Sequence, residues 1–406
     1  MKIDTLVIGA GQAGLATSYH LTQLGREHLV LERERVAHSW RARRWDSFTL
    51  VGPNWTCTLP GAPYEGADPD GYMGKDALVE FFEDYARTTG APVREGVTAR
   101  RLRRDDAADR YLLDTGDDQI EARNVVVATG AYERPRLPPG ADGLRGVTQL
   151  HADAYRNAAE LPDGAVLVVG SGQSGCQIAE DLREEGRDVF LSTGGAGWFP
   201  RRYRGRDNLW WRAQMGYFEQ PVERLASPAD RMSAVPVQTG RGGGHDLSLR
   251  TLGAMGVTLA GRFVEADGRR VRTADDVDTN LARSDDVARK LVADIDAFIR
   301  ERGIVAPPEL LQIPPERPKA ITGDLDLDRL GISTVLWATG YELDFRWIEL
   351  PLFDDTGYPR QRQGVTAAPG LYFMGLPWMH TRISGLIFGV GRDARHIADQ
   401  IATTRL

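Results

Sequence analysis

Gly9, Gly11 and Gly14 stand at the spacing GxGxxG, with Gln12 and Ala13 inside it, and the triplet returns 161 positions on as Gly170, Gly172 and Gly175, enclosing Gln173 and Ser174. Such a triplet handles a pyrophosphate. The first glycine permits a tight turn, the second lets the backbone approach the phosphates, and the third lets the following helix pack closely on its strand. The helix N-terminus then offers free N–H groups and a positive dipole end. An acid about 20 residues further on completes such a site by accepting hydrogen bonds from both ribose hydroxyls. Glu32 holds that place after the first triplet, with Arg33 beside it. After the second, the equivalent place falls to Thr193, preceded by Ser192. A carboxylate repels a 2′-phosphate, a hydroxyl tolerates it, and Arg201, Arg202 and Arg204 follow closely enough to supply charge. The first site is thereby expected to hold FAD and the second NADPH. The alternative for the three arginines is a solvated loop.

Each triplet needs a strand before it and a helix after it. Leu6, Val7 and Ile8 supply the first strand, and Leu15, Tyr19 and Leu24 recur at helical spacing behind the turn. Second strands are expected over His28 to Leu31 and Val189 to Leu191. The fold class is α/β, with two Rossmann-like dinucleotide-binding domains, the second carrying a largely helical insert. The expected boundaries are 1–160 for the first part of the FAD domain, 161–330 for the NADPH domain with its insert at 205–330, and 331–406 for the rest of the FAD domain. Aromatic residues crowd the approach to the insert, from Trp198 and Phe199 through Tyr203, Trp210 and Trp211 to Tyr217 and Phe218. They suit packing against the host domain or a hydrophobic lid over a substrate. From Ser284, a capping residue, Val287, Leu291, Ile295 and Phe298 line one face of a helix expected to stop at Gly303. A proline-rich extended stretch follows at 306–319.

Composition narrows the partners. Fifty basic residues against 57 acidic ones give a net charge of −7, which favours solubility and argues against nucleic acid. Cys57 and Cys176 form no CxxC pair, so no disulfide framework and no metal site is expected. Asp4 interrupts the place where a signal peptide needs its apolar core, and no apolar run approaches the roughly 18 residues of a membrane span. A cytoplasmic location is expected.

Further segments carry a resemblance. VVVATGAYERP at 125–135 and TVLWATGYE at 334–342 are similar to the interdomain crossovers of flavoproteins with two dinucleotide sites, with Thr129, Gly130, Thr339 and Gly340 at the turns. Residues 370–401 read as strand, loop and amphipathic helix, with Ser384, Gly385 and Leu386 near the helix start. In flavoproteins of this kind that dipole end faces the flavin pyrimidine edge. The stretch LRGVTQLHADAY at 144–155 approximates FxGxxxHxxxY, with His151 and Tyr155 in register and Gly146 one residue too far from His151. From residue 1 to about 204 and from about 331 onward, the chain resembles the class B flavin-dependent monooxygenases, in particular the flavin-containing and plant YUCCA-type enzymes. Tyr155 in place of Trp leans away from the Baeyer–Villiger branch.

That resemblance implies an NADPH- and FAD-dependent monooxygenase that forms a C4a-(hydro)peroxyflavin with O2. It would oxygenate a small organic substrate at a soft nucleophilic N, S or C atom. Trp40 and Arg41 match the aromatic-basic pair beside the cofactor, and Asn54 falls where an asparagine lies near flavin C4a and N5. An amide there can donate to a peroxide without releasing it. Trp378, His380 and Arg382 lie on the loop before the flavin-facing helix, where His380 is the second candidate for a catalytic role. An NADPH oxidase or flavin dehydrogenase releasing H2O2 stays open at this point, as does a nucleotide sensor without turnover. A disulfide reductase does not, because the redox cysteine pair is absent.

Overall fold

The structure is a computed structural model and describes residues 1–403. Lys2–Ile8 lies in the middle of a nine-stranded sheet, flanked by Gln119–Val127 on one side and His28–Leu31 on the other, all parallel. Val93–Arg94 extends it beyond His28–Leu31, and Leu371–Phe373 joins Gln119–Val127 in parallel from the far end of the chain. The helix Gln12–Gln23 and the C-terminal helix Val390–Thr403 pack against each other over this sheet, with Leu15, Ala16, Val390, Ala394 and Ile397 in one core.

A second sheet of six strands runs Ala320–Ile321, Thr258–Ala260, Val189–Ser192, Ala165–Val169, Ile332–Trp337, Thr148–His151. Every pairing in it is parallel. Its central strand Ala165–Val169 is buried throughout, as a parallel strand covered on both faces must be. The two crossovers that link the sheets meet: Arg134–Pro135 pairs antiparallel with Tyr341–Glu342.

The α/β class and the two dinucleotide-type sheets agree with expectation, but the boundaries shift. Thr148–His151 and Ile332–Trp337 belong to the second sheet, so the chain changes sheets near the crossovers rather than at 160 and 330. The segment 205–330 is not simply a helical insert. It supplies the outer strands Thr258–Ala260 and Ala320–Ile321, and a three-stranded antiparallel sheet of Phe263–Asp267, Arg270–Thr273 and Asp324–Asp326. Short strands and polar turns hid this, because their apolar content is too small to show a period.

The long helix also differs. It runs Val277–Arg302, and Ser284 is buried in its interior. Burial of Val277, Asn280 and Leu281 against the second sheet carries it past the residue type that would start a helix in isolation. Its expected face holds: Leu291 and Ile295 pack with Phe199, Tyr203 and Trp211, and Val287 and Phe298 flank them. It stops at Gly303, φ 61°.

Candidate active site

The two cradles have the same construction. Gly9 has φ +107°, and a Cβ on it would lie 2.6 Å from the Ala128 carbonyl oxygen. A Cβ on Gly14 would run into the Gly9 carbonyl. Gly11 is different, because a Cβ there meets no heavy atom within 4 Å. Gly170, at φ +105° and with a Cβ on it falling 2.5 Å from the Ala338 oxygen, Gly175 against Gly170, and the bare Gly172 repeat the scheme. Two of each triplet are therefore glycine because the chain itself leaves no room. The middle one is glycine with nothing of the chain beside it, which suits a group the chain does not supply. Gly11 and Gly172 are the N-caps of their helices and carry no side-chain cap, so the first-turn amides stay available for an anion.

The two Ala-Thr-Gly turns back the two cradles, Ala128 behind Gly9 and Ala338 behind Gly170. Thr129 adds a buried hydroxyl without a partner among the described residues, and Gly130 has φ +87°. Thr339 is committed, donating to the Arg136 carbonyl, and the Gly340 carbonyl accepts from His151 Nε2 at 3.1 Å. Glu32 accepts from the backbone N–H of Ala10 at 2.9 Å and of Glu34 at 3.1 Å, which holds its carboxylate at the mouth of the first cradle. Arg33 pairs with Glu133 at 3.4 Å. Gln12 reaches across to the Gly385 carbonyl at 3.2 Å, and Gln173 donates to the Gln238 carbonyl. Ala13 packs under Gly375, and Ser174 is half-buried on the second helix.

All but one of the residues expected at a 2′-phosphate are turned elsewhere. The Ser192 hydroxyl donates to the Gly261 carbonyl and that of Thr193 to the Ala260 carbonyl, both at 2.9 Å, and both residues are buried against the neighbouring strand. Arg201 is buried too, paired with Asp207 at 2.6 Å and donating to the Val51 carbonyl at 2.8 Å. Arg202 is exposed on the two-residue strand Arg202–Tyr203, and Arg204 binds Asp296 at 2.6 Å. The guanidinium at this end of the cradle is Arg283. It is exposed on the long helix, and its Nη1 lies 3.0 Å from where a Cβ on Gly195 would stand. Nothing in the local sequence announces it, because about 90 residues separate it from the strand whose end it covers.

A third group of residues gathers near the first cradle. Asn54 is 7% exposed and opens the short helix Asn54–Thr56. Its amide N–H donates to the Asp68 carbonyl at 2.9 Å, while its Oδ1 has no partner among the described residues. The expectation of a donor at this place is therefore reversed, since the free atom is an acceptor. Ser384 is not free either. Its hydroxyl accepts from the backbone N–H of His380 and Thr381 and ties the loop together before the helix begins at Val390, beyond Gly385 and the 45% exposed Leu386. His380 is half-buried, with Nδ1 3.4 Å from Asp393, a buried carboxylate whose Oδ2 has no partner among the described residues. Trp40 stacks on Phe82, and Arg41 pairs with Glu83 at 2.5 Å.

His151 and Tyr155 hold structure. His151 bonds Asp153 at 3.0 Å and the second crossover at Gly340, and Tyr155 donates to Asp181 at 2.6 Å. The insert is stitched to the C-terminal loop, with Val222 N–H donating to the His380 carbonyl and Arg382 N–H to that of Gln220. Leu209, Phe218 and Ile383 form one cluster with Trp55, Tyr217 and Phe388. Some of the aromatic crowding is thus packing, as Trp198 and Trp211 are wholly buried, and some of it walls this group.

With both cradles intact over the N-terminal half, the sequence match there is decisive. Residues 6–210 match the pyridine nucleotide-disulphide oxidoreductase family. The chain belongs to that family. It is 32% identical, over 98% of both chains, to a protein described as an uncharacterized oxidoreductase CzcO-like from Geobacillus kaustophilus. It is 37% identical over 186 residues, 45% of each chain, to the indole-3-pyruvate monooxygenase YUCCA1 of Oryza sativa subsp. japonica. The fold is similar to that of a flavin-containing monooxygenase from Stenotrophomonas maltophilia, with TM-score 0.68, 19% identity and 98% of both chains covered. One sequence relative and one fold neighbour of the chain are thus flavin-dependent monooxygenases by description. Cys57 and Cys176 are both buried and free, and burial pushes each thiol up to about 12. No helix among the described residues is long and apolar enough to cross a membrane.

Proposed function

We propose that this chain is an NADPH- and FAD-dependent monooxygenase that uses O2 to oxygenate a small organic substrate at a soft nitrogen, sulfur or carbon atom. The observation that carries the reading is the pair of bare glycines, Gly11 and Gly172, each at an uncapped helix N-terminus. Two nucleotide sites in one chain most simply serve electron transfer between their ligands. The first-turn amides behind Gly11 would hold the FAD pyrophosphate and Glu32 its ribose. Those behind Gly172 would hold NADPH, with Arg283 on the 2′-phosphate. Bound together, the two cofactors supply a hydride, its acceptor and a reduced flavin able to activate O2.

The remaining chemistry falls to side chains. Asn54 Oδ1, buried and unpartnered, would accept an N–H from whichever ring lies against it. Trp55, Phe218, Ile383 and Phe388, which cluster together, would keep water from that place, which matters because a reactive oxygen species survives only in a dry site. His380, oriented by the buried Asp393, would hold or pass a proton at the rim through Nε2. The crossovers at 134–135 and 341–342 would divide an FAD unit from an NADPH unit, the latter lying between them in sequence.

The test is anaerobic reduction of the FAD-loaded protein by NADPH, followed by O2. Bleaching of the flavin and an oxygenated product from an amine, thioether or 2-oxo acid are expected. Stoichiometric H2O2 with no product from any of these would make the chain an oxidase, and no bleaching at all would make it a sensor.

A further inference from the structure

Three guanidinium groups meet where the insert, the turn before Asn54 and the C-terminal loop come together. Arg201 is neutralised by Asp207 at 2.6 Å. Arg212 and Arg382 are not. Arg212 is 7% exposed, with its guanidinium carbon 4.8 Å from the ring centre of Phe199, 5.2 Å from Tyr217 and 5.4 Å from Phe218. Its Nε has no partner, and it makes no ion pair among the described residues. Asp207 acts on it only through space and is already engaged by Arg201, by the Tyr72 hydroxyl at 2.7 Å and by the Leu209 N–H at 2.7 Å. Burial pushes the Arg212 guanidinium down to about 10. Arg382 lies 4.1 Å from Tyr217 and 4.4 Å from Trp378, and the acceptor for its Nε and Nη2 is the neutral Gln220 amide, at 3.2 and 2.8 Å.

A buried cation without a counter-ion is costly, and folds keep one where an anion comes and goes. Tyr217 stands between the two guanidinium groups, and Phe218 beside it meets Phe388 at 5.2 Å, in the cluster that contains Trp55, next to Asn54. The unpaired charge therefore borders the dry wall of the site. Aromatic rings on several sides suit an apolar or aromatic body. A dinucleotide phosphate has its own place at Gly172.

We propose that Arg212 and Arg382, with Tyr217 between them, recognise the carboxylate of the substrate, so that the chain acts on an organic acid carrying an aromatic or apolar body. The proposal rests on the monooxygenase reading for its location beside the flavin, but binding is measured without turnover. Benzoate, phenylacetate and 3-phenylpropanoate, and the three corresponding amides, would be titrated into the FAD-loaded protein with NADP+ present, following the oxidised flavin absorbance and tryptophan fluorescence. At least one acid is expected to bind roughly tenfold or more tighter than its amide. Arg382→Gln and Arg212→Met should each abolish that preference and leave NADP+ affinity unchanged.

No preference for any acid, or a preference that survives in Arg382→Gln, overturns the proposal. So does loss of NADP+ affinity with acid binding intact, which would assign the two arginines to a cofactor phosphate. Should Arg212→Met fail to fold, Arg382→Gln decides alone, since Arg382 is only half-buried. A protein that selects acids in this way yet yields only H2O2 would sink the monooxygenase reading and leave the subsite standing. Oxygenation of a neutral amine without acid selection would do the opposite.

Discussion

Gly11 and Gly172 have room for a methyl group as far as the chain itself is concerned, and a bound pyrophosphate would claim that room. Gly11→Ala should therefore lower FAD affinity by roughly tenfold or more while the melting of the cofactor-free protein moves by less than about 1 kcal/mol. Gly172→Ala should do the same to NADP+ binding. Flavin retained after dialysis, NADP+ titration and thermal melts check both. Loss of folding in either variant would contradict the geometry. Gly14→Ala is expected to unfold the first cradle, because its Cβ runs into the Gly9 carbonyl. These positions were legible because the turn needs a positive φ at its first glycine and the helix packs back on that turn at the third. Ser192 and Thr193 were not. Their hydroxyls would tolerate a 2′-phosphate, but the chain beyond offers carbonyl oxygens closer at hand, and the hydroxyls turn inward to them.

The helix Val277–Arg302 brings a charge to a cradle built about 100 residues earlier in the chain. Asn280 fixes its place by donating to Thr193 Oγ1 at 3.1 Å, and Arg283 stands one turn further on. If Arg283 meets the 2′-phosphate, Arg283→Gln should reduce the preference for NADPH over NADH by roughly tenfold, with no change in melting because the side chain is exposed. Binding of 2′,5′-ADP against 5′-ADP gives the same answer without turnover. An unchanged ratio would return the role to Arg202, the one exposed member of the cluster expected from sequence. The face of this helix could be read from its period. Its start could not, because burial of the first two turns overrode the signal at Ser284.

Across the whole molecule, a polar junction at Asp181 ties three distant segments together. Its carboxylate accepts from Ser47 of the first unit, from Tyr155 at 2.6 Å and from Arg241 of the insert at 2.6 Å. Beside it, His245 Nε2 lies 2.5 Å from the buried Glu180 carboxylate. The hydrogen bond to Glu180 raises His245 above its ordinary 6.5, against the opposing effect of burial. A raised folded-state value means that the charged pair stabilises fully below about pH 6.5 and fades as pH rises through the raised value. Wild type should therefore melt above His245→Gln at pH 6, by about 0.5–1 kcal/mol given the half-exposed ring, and the gap should close by about pH 9. A gap that is constant across this range would show a packing effect instead of a titrating one.

The sequence by itself determined the two strand–turn–helix units and the resemblance they carry, because a left-handed turn and a helix packed on its own strand demand glycine at set spacings. Only the tertiary structure decided which side chains stand near the cradles with a charge or a lone pair left over. Arg283, the free acceptor of Asn54, and the unpaired Arg212 and Arg382 emerge when segments distant in sequence pack together. A side chain's partners are fixed by whichever donors, acceptors and rings that packing places nearest.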